Sequence, residues 1–263
     1  MIAAEYEYQA GRQWRSLEDT TNDPITNPRR PAQSWRSWQR FEDYYTESGL
    51  IWLDVDTLIR ERSAGKRSLD DFARAFFGIN DGSIVTVTYT FDDVVKALNA
   101  VQPYDWADFL HQRLDSVGKP APLDGLRRGG YRLTYTDTPS DYEKTAEEHR
   151  RHLDLLYSVG IEIDDMDKKG TILQVYWDSQ AFKTKLTKGA QILAVNGFAY
   201  SADVLKDAIR SAHGTSSPIE LMVKNGDLFK VVNIDYHDGL RYPHLERDAS
   251  TPARLDDILA RRQ

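Results

Sequence analysis

Ala181-Phe182-Lys183-Thr184-Lys185-Leu186-Thr187-Lys188-Gly189-Ala190-Gln191-Ile192-Leu193-Ala194-Val195-Asn196-Gly197 reads as a small turn and a glycine leading into a strand that ends Val-Asn-Gly. Upstream, Leu156-Tyr157-Ser158-Val159-Gly160-Ile161-Glu162-Ile163 has the form of a small-residue loop followed by a strand. Residues 170–175 and 218–223 are further strands, and Asn225-Gly226 is a strong hairpin signal before residues 228–234. Between them Ser201 caps a helix whose Leu205, Ala208, Ile209 and Ala212 share one face, because residues three and four apart lie one above another. Strand, strand, helix, hairpin is the order predicted for residues 153–237.

That order, with its loop, resembles a PDZ domain, a partly open β-barrel that binds peptides. The resemblance implies a groove between residues 159–163 and the helix 201–212. Backbone amides around Ser158, Val159 and Gly160 would receive a carboxylate, and an edge strand bearing Ile161 and Ile163 would accept a peptide strand opposite Leu205 and Ile209. Val159, Ile161, Leu205 and Ile209 serve equally well to close the module's own core, and both readings stand at this point.

At 263 residues the chain is long enough for two modest domains. With 29% charged residues and no long apolar run it has no transmembrane helix, which predicts a soluble protein. A net charge of −7 offers no electropositive field for a phosphate backbone, and the pairs Arg29-Arg30, Arg127-Arg128 and Arg150-Arg151 are short and flanked by acids, so nucleic acid is not an expected partner. There is no cysteine, hence no disulfide, thiolate zinc site or thiol nucleophile. The segment Met1-Ile2-Ala3-Ala4-Glu5-Tyr6 lacks the basic and apolar parts of a secretory signal, which predicts a cytoplasmic chain unless its natural start lies upstream.

Residues 1–42 carry Trp14, Trp35 and Trp38 amid Asn-Pro, Asp-Pro and Arg-Pro pairs, and read as irregular chain anchored by indoles. A helix is predicted from 42 to 63, where Tyr45, Leu50, Leu53, Leu58 and Ile59 recur near helical spacing. Ser68-Leu69-Asp70-Asp71 and Thr90-Phe91-Asp92-Asp93 each place an acid three residues after a capping hydroxyl, and Pro103 opens a further helix. Residues 43–117 therefore form a helical unit, with 84–89 as a short extended piece. A linker with a strand and a charged surface helix at 141–151 spans 118–152, and 238–263 is a tail.

No His-Glu-x-x-His is present. In Glu148-His149-Arg150-Arg151-His152 the histidines are spaced i, i+3 around two arginines that repel a dication. The turn 164–170 resembles a calcium loop, but Lys169 takes a ligand position and Tyr176 stands where a bidentate Glu is needed. Serine-hydrolase and nucleotide-binding loops are missing too, and Asp54/Asp56 and Asp70/Asp71 suit capping and solvation.

A wider resemblance rests on Gly11-Arg12-Gln13-Trp14-Arg15-Ser16-Leu17-Glu18-Asp19-Thr20-Thr21-Asn22-Asp23, on Trp35-Arg36-Ser37-Trp38-Gln39-Arg40, and on Tyr44-Tyr45-Thr46-Glu47-Ser48-Gly49-Leu50-Ile51-Trp52-Leu53-Asp54-Val55-Asp56-Thr57-Leu58-Ile59-Arg60. Lys66-Arg67-Ser68-Leu69-Asp70-Asp71-Phe72 and Gly239-Leu240-Arg241-Tyr242-Pro243-His244-Leu245 add to it. Together they resemble the glycyl aminopeptidase family, zinc metallopeptidases with a thermolysin-like catalytic domain followed by a PDZ domain, and cover nearly the whole chain. The resemblance implies an α+β chain: the helical C-terminal half of the catalytic domain followed by the PDZ-like module. The zinc ligands and general base of the family precede the segment at which this chain begins, so no cofactor is expected here, whereas full-length relatives hold zinc. Tyr45 matches the tyrosine that stabilises the oxyanion, while Asp19, Trp35 and Trp38 receive no role. Implied partners are a peptide substrate or terminus and the missing N-terminal catalytic half, and relatives are generally exported. A non-catalytic peptide-binding adaptor is the alternative reading.

Overall fold

A computed structural model describes residues 2–26, 35–80, 82–166 and 168–261. In chain order the elements are α1 (Ile2–Glu7), α2 (Asp23–Thr26), α3 (Arg36–Gln39), α4 (Tyr44–Arg62), α5 (Leu69–Phe77), α6 (Phe91–Val101), α7 (Trp106–Leu114) and α8 (Asp124–Arg128). Then come β1 (Tyr131–Thr136), α9 (Asp141–Arg150), β2 (His152–Leu155), β3 (Ile161–Asp164), β4 (Thr171–Val175), α10 (Gln180–Lys183), β5 (Gln191–Val195) and β6 (Phe198–Ala199). The chain closes with α11 (Ala202–Ser211), β7 (Ile219–Asn225), β8 (Leu228–Ile234), β9 (Tyr242–Arg247) and α12 (Arg254–Leu259). The class is α+β. Among the described residues no helix is long and apolar enough to cross a membrane.

The chain divides into two compact units. The first takes its described residues from Met1–Pro31, Arg40–Leu133 and Leu245–Gln263. Its larger core joins Ile51, Val55 and Ile59 of α4 to Phe72, Leu98, Trp106 and Leu110. A smaller cluster joins Leu50 to Tyr6, Leu126 and Leu255. Gly125 lets α8 lie directly on α4: a Cβ there would stand 2.6 Å from the Asp54 amide nitrogen.

Ser68 and Thr90 close full capping boxes with Asp71 and Asp93, satisfying amides that the first helical turn leaves without partners. The third predicted helix begins later than expected, at Trp106, because the Asp105 carboxylate caps the Asp108 amide; Pro103 lies outside it. Residues 84–89 form no strand, and Ile84, Val85, Val87 and Tyr89 are exposed. Within residues 1–42, expected to be irregular, the described chain forms α1, α2, α3 and two 3-10 turns, while the Asn27-Pro28 and Arg30-Pro31 pairs lie outside the described residues. The stretch read as a tail contains β9, which pairs with β1, and α12, whose Leu255 is buried.

The second unit takes its described residues from Ala32–Gln39 and Thr134–His244. Its antiparallel sheet runs β2-β3-β4-β5-β7-β8, with β6 on β5, and it stays open rather than closing into a barrel. The β7–β8 hairpin pairs Asn225 with Leu228, so Gly226 and Asp227 form the two-residue loop, and Gly226 takes the positive φ of 60° that the turn demands.

Candidate functional site

Tyr45 lies in the first turn of α4, 67% exposed, with its ring 4.4 Å from that of Tyr44. Tyr44 packs against the helical core, so of the two phenols Tyr45 is the one presented to solvent. Although Tyr45 recurs at helical spacing with Leu50, Leu58 and Ile59, it is not part of the cores those residues form. α4 runs unbroken through Ser48 and Gly49.

The approach to this turn is held by buried charge. Arg40, Asp43 and Glu47 are each no more than 1% exposed. Arg40 donates from Nε to Asp43 Oδ2 at 2.9 Å and from Nη2 to Glu47 Oε2 at 2.5 Å. Arg12 Nη1 takes the other Glu47 oxygen at 2.5 Å, and Gln9 Nε2 donates to Asp43 Oδ2 at 3.2 Å. Arg40 and Arg15 also donate to each other's carbonyl oxygens, at 2.8 and 2.9 Å, and Arg15 pairs with Asp23. The network sustains a strained backbone, since Arg40 and Glu42 adopt φ of 51° and 48°, a region that side-chain-bearing residues rarely enter. Buried ion pairs add little net stability, but removing one partner leaves an uncompensated charge, so their effect is to permit one geometry.

Sequence reasoning did not single out Arg40, Asp43 and Glu47; the signal was an acid at Glu47 on the helix face that carries Leu50, Ile51 and Val55 inward. Asp54, expected to be solvated, is instead buried and ion-paired with Arg113 and Arg128. Asp56 accepts from the Leu69 amide at 2.7 Å and pairs with Arg60. Asp19, exposed, is held below the usual carboxylate range by its hydrogen bond from Arg15. Trp35 and Trp38 pack in the second unit against Trp177, with ring centroids at 5.6 and 4.7 Å.

In the second unit Val159, Ile161, Ile163, Leu205 and Ile209 are fully buried together in one core. β3 is not an edge: β4 pairs with one side of it and β2 with the other. The loop amides of Ser158 and Gly160, expected to be open to a carboxylate, donate to the Leu155 carbonyl at 3.2 and 3.0 Å. The proposed groove is therefore filled by the chain's own backbone. Gly160 sits at φ 87° with Ser179 so close that a Cβ would overlap it.

Beside the loop, the Arg241 amide donates to Ser158 Oγ at 3.0 Å, and its guanidinium lies 4.5 Å from the centre of the Tyr135 ring. The buried Nε of Arg241 has no hydrogen-bond partner. On β2, burial pushes the Asp154 carboxyl up to about 7, against the opposing bond from the Leu156 amide, with Glu162, Glu147 and Glu143 adding to the rise. Burial likewise raises Glu147.

Among the described residues no group of three or more histidine, aspartate or glutamate side chains is placed to hold a metal. His152 Nδ1 meets Glu162 Oε1 at 2.9 Å, and the Asp164 carboxylate accepts from the Met166 amide. Asp167, part of the acidic turn, lies outside the described residues. The described donor set does not fit a zinc ion.

No family model matches the chain, and no curated protein matches it. A solved structure described as an aminopeptidase N family protein from Idiomarina loihiensis is similar with a TM-score of 0.69 and 19% identity, over 99% of this chain and 43% of that one. The chain thus spans less than half the length of that protein. The HtrA3 PDZ domain bound to a phage-derived ligand aligns over 46% of this chain and 95% of its own, with 16% identity and a TM-score of 0.23, a similarity too low to support a conclusion. The chain shares the fold of part of an aminopeptidase N family protein.

Proposed function

We propose that this chain is the C-terminal portion of a glycyl-aminopeptidase-like zinc metallopeptidase that removes small N-terminal residues from peptides. It joins the helical half of the catalytic domain to a PDZ-like module. The observation that carries the reading is the exposed Tyr45, presented at the start of α4 in a chain whose fold is similar to part of an aminopeptidase N family protein. A neutral phenol donating its O–H to the oxyanion of a tetrahedral intermediate is a stabilising element suited to amide hydrolysis. The Arg40–Asp43–Glu47 network positions that phenol by fixing the turn from which α4 starts. On this reading the zinc and its ligands belong to an N-terminal half, and the chain assayed alone is expected to give no turnover.

The test is complementation. The chain is assayed on a glycyl chromogenic amide with zinc, alone and together with the zinc-bearing N-terminal half of an aminopeptidase of this type. The expected result is no turnover alone, turnover with the added half, and its loss in Tyr45→Phe. Turnover by the chain alone, or restored turnover indifferent to Tyr45→Phe, would overturn the assignment.

A further inference from the structure

Gln39 belongs to the second unit and Arg40, the next residue, to the first. Arg40 is also the residue whose side chain joins Asp43 to Glu47 ahead of α4. Whatever holds residues 35–39 therefore bears directly on that turn.

α3 is a single turn, and a helix this short does not persist on its own. Its support is aromatic. The Trp38 ring stacks on Trp177 with centroids 4.7 Å apart, and Trp35 meets Trp177 and Phe182 edge-on at 5.6 and 5.2 Å. Trp177 and Phe182 are themselves 4.6 Å apart, so the rings close on one another, an arrangement that adds to simple burial. Between the two indoles of the strap, Ser37 is only 2% exposed, and its Oγ accepts the Trp177 amide at 3.1 Å. Trp177 is not part of the buried core of the second unit. The core does not account for this indole; the strap does.

The backbone on either side of α3 is held where side-chain-bearing residues rarely go. Trp35 has a φ of 61° and Arg40 one of 51°, conformations that persist only where the surroundings over-determine them. Beyond α3, Arg40 is pinned by Asp43, Glu47 and the Arg15 carbonyl. Before it, Trp38 is locked on Trp177. Only Gln39 lies between the aromatic clamp and the ionic network, and one residue spans at most about 3.6 Å, too little slack to absorb release of a ring.

We propose that Trp177, with Phe182 and Ser37, is a positioning residue: the turn 176–182 clamps residues 35–39 and thereby fixes Arg40, the turn before α4, and the Tyr45 phenol that α4 presents. The bearing of the clamp on hydrolysis rests on reading Tyr45 as the phenol that meets the oxyanion; the clamp itself does not.

The experiment is hydrogen exchange on the full chain, comparing wild type with Trp177→Ala, Trp177→Phe and Ser37→Ala. In Trp177→Ala the amides of Thr46 and Glu47, which donate to the Asp43 carbonyl at 3.2 and 2.8 Å, should exchange about tenfold faster or more, while residues 51–59 of α4 and strands β3 to β5 keep wild-type protection. Trp177→Phe, which restores a ring, should recover most of the protection, and Ser37→Ala should fall between. Should β3 to β5 lose protection in Trp177→Ala, Ser37→Ala carries the comparison. Faster exchange at 36–39 with 43–48 unchanged would confine the clamp to the strap and overturn the proposal. No change at either segment would show that Trp177 does not hold the strap, and would overturn it too. In the complemented enzyme Trp177→Ala should lower kcat about tenfold with KM within about twofold, the pattern of a lost transition-state contact. Faster exchange at 43–48 with kcat unchanged would leave the clamp standing and count against Tyr45 as the acting phenol.

Discussion

Arg40 and Glu47, seven residues apart, form an ion pair from which water is excluded, and Glu47 gives its second oxygen to Arg12. Glu47→Ala leaves two guanidinium groups buried without their shared anion. The expected loss is about 3–5 kcal/mol of stability, the range found when one partner of a buried pair is removed. Urea unfolding of the variant checks it. An unchanged midpoint would show that the network does not fix the turn before α4.

Tyr45→Phe should leave stability within about 0.5 kcal/mol of the parent, because the phenol is exposed. Tyr44→Ala, which removes a ring packed on the helical core, should lower it measurably. Thermal melts of both variants compare the two. A destabilised Tyr45→Phe would mean that the hydroxyl serves the fold, and would weaken any assignment of activity loss to chemistry.

Asp154 predicts a pH dependence. Its carboxyl, raised to about 7 chiefly by burial, holds a proton in the folded module that the unfolded chain releases from about pH 4 upward. The contribution is therefore full below the unfolded value and lost as pH rises through about 7. Facing the group are Glu143 and Glu147 of α9, Glu162 of β3 and Tyr242 of β9, with His152 on Glu162 and Lys206 on Glu147. Hydrogen exchange at 161–164 should show weaker protection against opening at about pH 8 than at about pH 5, once intrinsic exchange rates are divided out. Asp154→Asn, which keeps the acceptor for Leu156, should flatten the slope. An unaltered slope in that variant would remove Asp154 as the titrating group.

Gly160→Ala should destabilise the second unit by about 2–4 kcal/mol, since the residue sits at positive φ and a Cβ would overlap Ser179. Adding Ser179→Gly should recover part of the loss, the part due to collision, and leave the part due to φ. Full recovery would mean that backbone conformation carries no cost here. Because Gly160 is structural, a bulky substitution there would report on folding rather than on ligand binding.

Much of the architecture was legible because it is local. The capping boxes at Ser68 and Thr90 depend on residues three apart, and the β7–β8 hairpin on a two-residue loop. The buried face of α11 follows from helical spacing. Where a local signal misled, a nearby competitor explains it: Asp105 offers a better cap than Pro103 offers a start, and α7 begins at Trp106. The β-branched run 84–89 finds no neighbouring strand, and without a pairing partner its propensity produces no ladder.

By itself, the sequence determined the α+β class, the helices with their caps, the strand and helix order of residues 153–237, and the lack of a His-Glu-x-x-His motif. Only the tertiary structure decided that Tyr45 faces solvent while Tyr44 packs inward, that Glu47 is neutralised by arginines from positions 12 and 40, and that β2 rather than solvent lies against β3. The division has a physical cause. Propensity, capping and periodicity act within a few residues, whereas burial of a charge and choice of strand partner depend on which distant surfaces exclude water, and spacing along the chain does not encode that.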